Sequence, residues 1–183
     1  GTFERTRSPP FQFRGTGFVV GDGRQVVTNA HVLPATLDAQ NRETVAILLP
    51  APPKAGTDEP QVELRAAKQV ASDAAHDLAV VAIESAPLPA LTVGESLRVR
   101  EGNTLFFTGF PIGPVLGLHP VTHAGIVSVL TPNVTPALTI GQLTPDMIQS
   151  IKRKGMIYQL DAIAFPGNSG SPVYDQATGK VLG

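Results

Sequence analysis

Short β-branched runs, each cut off by glycine, proline or a polar turn, recur along the whole chain and leave little room for helix. The runs fall at residues 17–20, 25–28, 44–49, 62–71, 78–84, 104–110, 121–130, 158–163, 172–174 and 180–182. Gly21-Asp22-Gly23 between the first two reads as a hairpin turn. Many short strands with this punctuation specify an all-β sandwich or barrel. One segment has helical period, residues 145–154. Thr144 caps it, Pro145 opens it, Met147, Ile148 and Ile151 share a stripe, and Gly155 ends it. The Pro/Ala-rich stretch over 49–60 reads as a surface loop, and residues 85–92, with two prolines, read as a linker.

The chemistry concentrates in Phe165-Pro166-Gly167-Asn168-Ser169-Gly170-Ser171-Pro172. Glycines beside a serine permit a backbone in which two nearby N–H groups point at one oxygen. The amides of Gly167 and Ser169 would then form an oxyanion hole while the Ser169 hydroxyl attacks a carbonyl. By itself a Gly-x-Ser-Gly string is as well explained by a small-residue turn. A serine also needs a base, and the base an orienting acid. Upstream lie Thr28-Asn29-Ala30-His31-Val32 and Ala75-His76-Asp77-Leu78-Ala79-Val80-Val81. His31, Asp77 and Ser169 are separated by 46 and 92 residues, in the order His, Asp, Ser that one class of hydrolase uses. Without Asp77 and Ser169, His31 would read as a core histidine. Small residues at Ala30, Ala74 and Ala75 suit side chains that meet in a buried cleft.

These segments resemble the protease domain of the HtrA/Deg family of trypsin-like serine proteases. Gly15-Thr16-Gly17-Phe18-Val19-Val20, Gly94-Glu95-Ser96, Gly109-Phe110-Pro111-Ile112-Gly113 and Gly125-Ile126-Val127-Ser128 carry the resemblance further, so that it runs from Gly15 to Gly183. It implies two antiparallel Greek-key barrels of six-stranded type. Residues 15–84 would make the first, with His31 and Asp77, and residues 93–183 the second, with Ser169, joined by the 85–92 linker. The implied activity is endoproteolysis of unfolded or extended polypeptide in protein quality control, without metal or cofactor. The resemblance also implies an extracytoplasmic location and a PDZ domain in the full-length protein. Residues 1–14, with Phe3, Phe11 and Phe13, resemble the arm that builds homotrimers in this family.

Ile163 stands where trypsin carries its pocket acid. With Ala164 and Phe165 it is read as the substrate pocket, which points to small or medium aliphatic residues before the cleaved bond. Asn168 replaces the acid that chymotrypsin-like zymogens use to receive a new N-terminus, so activation by that route is not expected. Two positions depart from the pattern. Ser171 occupies the place of a second glycine, and only 14 residues follow Ser169, which gives the expectation of a second barrel incomplete at its C-terminus. An unclosed barrel would leave a strand edge open, and it keeps a second reading alive: a latent protease domain that binds polypeptide without cutting it.

The remaining features are bland. The net charge of −1, with signs interspersed, argues against a nucleic-acid surface, and Lys152-Arg153-Lys154 reads as a solvated helix end. No apolar run approaches the roughly 20 residues of a membrane span. The absence of cysteine excludes disulfides and thiolate metal sites. His119 and His123 are four apart, but Pro120 between them forbids the helix that would align them on a metal. His76 reads as a partly exposed residue turned away from Asp77. The opening at Gly1, with no leader, reads as a processed or engineered start.

Overall fold

The computed structural model describes residues 15–38, 43–51, 61–111, 119–132 and 155–183. Within them the chain forms two antiparallel sheets, as the turn-punctuated sequence predicts. The first contains β1 (Phe18–Val20), β2 (Gln25–Asn29), β3 (Val45–Ala51), β4 (Gln61–Asp73) and β5 (Leu78–Ile83), in the order β1-β2-β5-β4-β3. The second contains β6 (Thr104–Gly109), β7 (Val121–Pro132), β8 (Met156–Asp161) and β9 (Val173–Asp175), in the order β8-β7-β6-β9. The two sheets are consistent with the double-barrel fold that the resemblance implies. The expected helix over 145–154 and the phenylalanines of residues 1–14 lie outside the described residues.

Alternation decides which face of each strand is buried. On β5, Ala79, Val81 and Ile83 point inward between more accessible neighbours, and on β2 Val26 and Thr28 do the same. On β6 the inward set is Leu105, Phe107 and Gly109. Leu105 and Val127, with Val99, form the heart of the second core, against which Leu130, Tyr158, Leu160, Val173 and Leu182 pack. Two long strands carry bulges, one between Gln69 and Ala71 opposite β5 and one between Val127 and Val129 opposite β8. Each inserts one unpaired residue and bends its strand, which lets a sheet curl toward a barrel.

Two boundaries differ from the sequence expectation for identifiable reasons. β3 continues through Pro50 and Ala51, paired with Val62 and Gln61, into the stretch read as loop. Pro50 is tolerated there because β3 is the edge of its sheet, where a missing N–H leaves no neighbour unpaired. The segment 180–182 forms no ladder strand. Val181 instead makes single bridges, parallel to Val93 and antiparallel to Tyr174. The linker is not a free tether: Leu88 and Leu91 N–H donate to the carbonyls of Gly23 and Val19, both at 2.8 Å. The Arg65 guanidinium donates to the Ala86 carbonyl at 2.7 Å.

Candidate active site

His31 lies on a single 3-10 turn, Ala30–Val32, directly after β2. Asp77 closes the tight turn between β4 and β5 in the left-handed region, at φ +54°. Aspartate is one of the few residues that visit this region at modest cost. Two bonds bring the turns together through the backbone. Ala30 N–H and the Asn29 side-chain amide both donate to the Asp77 carbonyl, at 3.0 and 2.9 Å. The Asp77 carboxylate then accepts from the His31 backbone N–H at 2.9 Å and faces ring Nδ1 at 2.7 Å. A carboxylate can only accept, so Nδ1 carries the proton, and in the neutral ring Nε2 is then the acceptor.

Partial burial pushes the Asp77 carboxyl up. Hydrogen bonds from the His31 backbone and ring, and the attraction of the imidazole, outweigh that and hold it below the ordinary aspartate range. The pair is more open than the buried cleft expected from its small neighbours. The side chains of His31 and Asp77 are 57% and 46% exposed.

The preceding residue, His76, is not on an extended segment, since residues 74–77 form the turn. Its ring faces the Asp73 carboxylate at 2.7 Å, which also accepts from the Ala75 and His76 N–H groups at 3.0 and 3.3 Å. Asp73 therefore shapes the turn that presents Asp77. These bonds draw the Asp73 carboxyl down, the ring bond contributing most.

Ser169 belongs to the second half of the chain but is anchored to the first. Thr16 N–H donates to the Ser169 carbonyl at 2.8 Å, and the Thr16 hydroxyl donates to the Gly167 carbonyl at 2.7 Å. That hydroxyl also accepts from Phe110 N–H at 3.0 Å, and the Thr16 carbonyl accepts from the buried Thr28 hydroxyl at 2.6 Å. One threonine thus joins β2, the end of β6 and the loop that carries Ser169. Thr16 stands in Gly15-Thr16-Gly17, a segment whose sequence assigns it no role. Its signal is weak, a β-branched hydroxyl between two glycines. A Cβ on Gly15 would press on the Ser169 carbonyl and Val32, so the chain can approach only without one.

Within the loop, Asn168 N–H donates to the Phe165 carbonyl at 3.1 Å, and Ser171 N–H to the Asn168 carbonyl at 2.9 Å. Gly167 and Gly170 hold φ of +102° and +85°, conformations that favour glycine. Among the described residues, neither the Gly167 nor the Ser169 N–H has a hydrogen-bond acceptor, and no hydrogen bond links the Ser169 hydroxyl to the His31 ring. Ile163 is 73% exposed and Phe165 45%, next to the loop. The described residues contain no group of three or more candidate metal ligands. His123 lies instead on β7, its ring stacked on Phe107 with centroids 4.9 Å apart.

Comparison with known proteins places this geometry in a family. The family model for the trypsin-like peptidase domain matches residues 15–183. HhoB of Synechocystis sp., described as a serine protease, is 31% identical over 175 residues, covering 96% of this chain and 34% of that protein. A periplasmic serine endoprotease of Hahella chejuensis described as DegP-like is 29% identical, over 98% of this chain and 31% of its own length. The chain thus spans about a third of the curated relatives it matches. Among solved structures, Deg5 superposes with a TM-score of 0.64 at 26% identity, covering 92% of this chain and 71% of that one. The HtrA-type protease AlgW with a decapeptide gives 0.58 at 26% identity, over 93% and 42%. On its sequence and its two-sheet fold together, the chain belongs to the trypsin-like peptidase family, as an HtrA/Deg-like serine protease domain.

Proposed function

We propose that this domain hydrolyses peptide bonds with Ser169 as nucleophile, His31 as general base and acid, and Asp77 as the group that orients His31. The observation that carries the reading is the two-point hold of Asp77 on His31. It leaves a bare Nε2 to take a proton. Ser169 Oγ attacks the substrate carbonyl as His31 Nε2 accepts its proton. The imidazolium, steadied by Asp77, then protonates the leaving amine, and water repeats the sequence to release the acyl group. The developing oxyanion would rest on the Gly167 and Ser169 N–H groups, whose lack of an internal acceptor supports that role. No bond yet joins Ser169 to His31. Catalytic hydrogen bonds are often long in the free enzyme and tighten once substrate is bound.

The finer reading follows the family. Extended polypeptides are the proposed substrates, with a small or medium aliphatic residue before the cleaved bond, because Ile163 offers no charge to Lys or Arg. Ile163, Ala164 and Phe165 are proposed to line that pocket. AlgW was solved with a decapeptide, which accords with polypeptide as the class of ligand. The periplasmic description of several relatives supports an extracytoplasmic site, and a role in quality control is proposed from the family resemblance. Among the described residues no helix is long and apolar enough to cross a membrane. A homotrimer built through residues 1–14 and a PDZ domain elsewhere in a longer protein complete the proposal. Residues 15–84 and 93–183 are proposed as the two barrels, with residues 85–92 between them.

Labelling with a fluorophosphonate probe, with mass spectrometry of the adduct, tests the assignment. Modification at Ser169, lost in His31→Ala, supports it. In Ser169→Ala, turnover of casein should fall by about six orders of magnitude. Folded wild-type protein that takes no label would favour the other reading, a latent domain that only binds polypeptide.

A further inference from the structure

The grip that Asp77 places on His31 is repeated four residues earlier in the chain. Asp73 ends β4, where it pairs with Leu78 across the mouth of the 74–77 turn. Its Oδ1 accepts from the Ala75 N–H at 3.0 Å and the His76 N–H at 3.3 Å, and its Oδ2 faces His76 Nδ1 at 2.7 Å. In both pairs, then, a carboxylate holds a histidine by its backbone N–H and by ring Nδ1. The two pairs share one turn, because His76 and Asp77 are neighbours and Asp77 closes the turn at φ +54°. From there the Asp77 carbonyl accepts from the Ala30 N–H and the Asn29 side-chain amide, at 3.0 and 2.9 Å.

His76 Nδ1 is the donor in its bond, since a carboxylate can only accept. With Oδ2 held by the ring, Asp73 keeps Oδ1 aimed at the two N–H groups of the turn. Those bonds set the path of the turn into a left-handed residue, a conformation that residues other than glycine seldom take unaided. The side chains of His76 and Asp73 are 41% and 52% exposed, and a pair so open adds little to stability. Its effect is on direction. A carboxylate carried on a short turn swings with that turn, and a displacement of about 1 Å is enough to slow catalysis severely. We propose that His76, acting through Asp73, is a positioning residue that holds the Asp77 carboxylate in line with His31. A histidine that reads as bland in the sequence thereby gains a function.

The consequence at Ser169 rests on the protease reading; the hold on Asp77 does not. The test therefore uses two readouts on the whole chain: the rate of fluorophosphonate labelling at Ser169, and nitrogen NMR of His31 at a pH where its ring is neutral. The second reports which ring nitrogen carries the proton. His76→Leu keeps the bulk and removes the donor; Asp73→Ala removes the acceptor. Each should slow labelling about tenfold and shift His31 from the Nδ1–H form toward a mixture with Nε2–H. The urea midpoint of His76→Leu should stay at the wild-type value. His76→Asn, whose side-chain amide puts a donor near the Nδ1 position, should recover most of the rate. The double variant should be no slower than Asp73→Ala, because His76 acts through that carboxylate. Wild-type labelling and a wild-type His31 spectrum in His76→Leu would overturn the proposal, as would a double variant slower than Asp73→Ala. If Asp73→Ala does not fold, the two His76 variants decide: slow labelling in leucine rescued by asparagine supports the proposal, and equal slowing in both refutes it. Wild-type protein that takes no label, yet loses the Nδ1–H signal of His31 in His76→Leu, would keep the positioning role and remove the protease reading.

Discussion

The Asp77 carboxylate grips His31 at two points, backbone N–H on Oδ1 at 2.9 Å and ring Nδ1 on Oδ2 at 2.7 Å. This fixes both the place of the residue and the tautomer of its ring. In Asp77→Asn the side chain can still accept from the backbone N–H, but its amide would donate to Nδ1. The ring proton is then driven to Nε2, and the base is lost although the geometry survives. Steady-state kinetics should show kcat reduced by about four orders of magnitude with the circular dichroism spectrum unchanged. A reduction below tenfold would contradict the role given to Asp77.

The same pair couples stability to acid. Asp77 is held below its ordinary value in the folded chain, so the unfolded chain takes up the proton first as pH falls. The stabilisation is complete above the unfolded carboxyl pKa of about 3.9 and is lost as pH drops through the lower folded value. Urea midpoints should therefore fall more steeply on acidification in the wild type than in Asp77→Asn. Part of the slope should survive in the variant, because Asp73 and Asp175 are lowered in the same sense.

Thr16 is the most economical place to separate the two halves. Thr16→Val keeps the shape but leaves the Phe110 N–H and the Gly167 carbonyl without the hydroxyl they share. A buried polar group stripped of its partner costs about 1–3 kcal/mol. Denaturant titration should show a loss in that range, and Ser169 labelling should slow along with it. Unchanged stability would mean that the Ser169 loop docks by other contacts.

Two glycines with the same φ of +85° separate backbone strain from steric exclusion. Nothing lies within 4 Å of a Cβ added at Gly102, whereas one at Gly170 would overlap the Thr16 carbonyl and the Thr28 hydroxyl. Gly102→Ala should lower stability by about 1–2 kcal/mol, the price of a left-handed alanine. Gly170→Ala should lose more than about 4 kcal/mol or fail to fold, as the rare severe core substitutions do. Thermal unfolding of the two variants side by side measures the difference.

Cleavage preference is the test of the pocket. A peptide library should return small and medium aliphatic residues before the scissile bond, because Ile163 presents no acid there. A profile dominated by Lys and Arg would refute the pocket assignment while leaving the proposed roles of His31, Asp77 and Ser169 untouched.

The β-rich character, the hairpin at Gly21-Asp22-Gly23 and the candidacy of His31, Asp77 and Ser169 were legible in the sequence, because they depend on local rules. Alternating apolar residues make strands, glycine permits turns, and nucleophile, base and acid must be those residue types. What lay beyond local rules needed the folded chain. Pro50 stays in a strand only because β3 proved to be an edge, and the segment around Val181 is a bridge because its partners are Val93, just past the linker, and Tyr174 on β9. The turn at 74–77 gives Asp77 its left-handed backbone through Asp73, which no periodicity announces. Thr16 on Gly167 and Ser169, and Asn168 beside His123, join residues 151, 153 and 45 positions apart. Sequence by itself determined which groups could do the chemistry, since reactivity belongs to the side chain. Only the tertiary structure decided what holds them, since support comes from whichever backbone the fold brings within hydrogen-bonding distance.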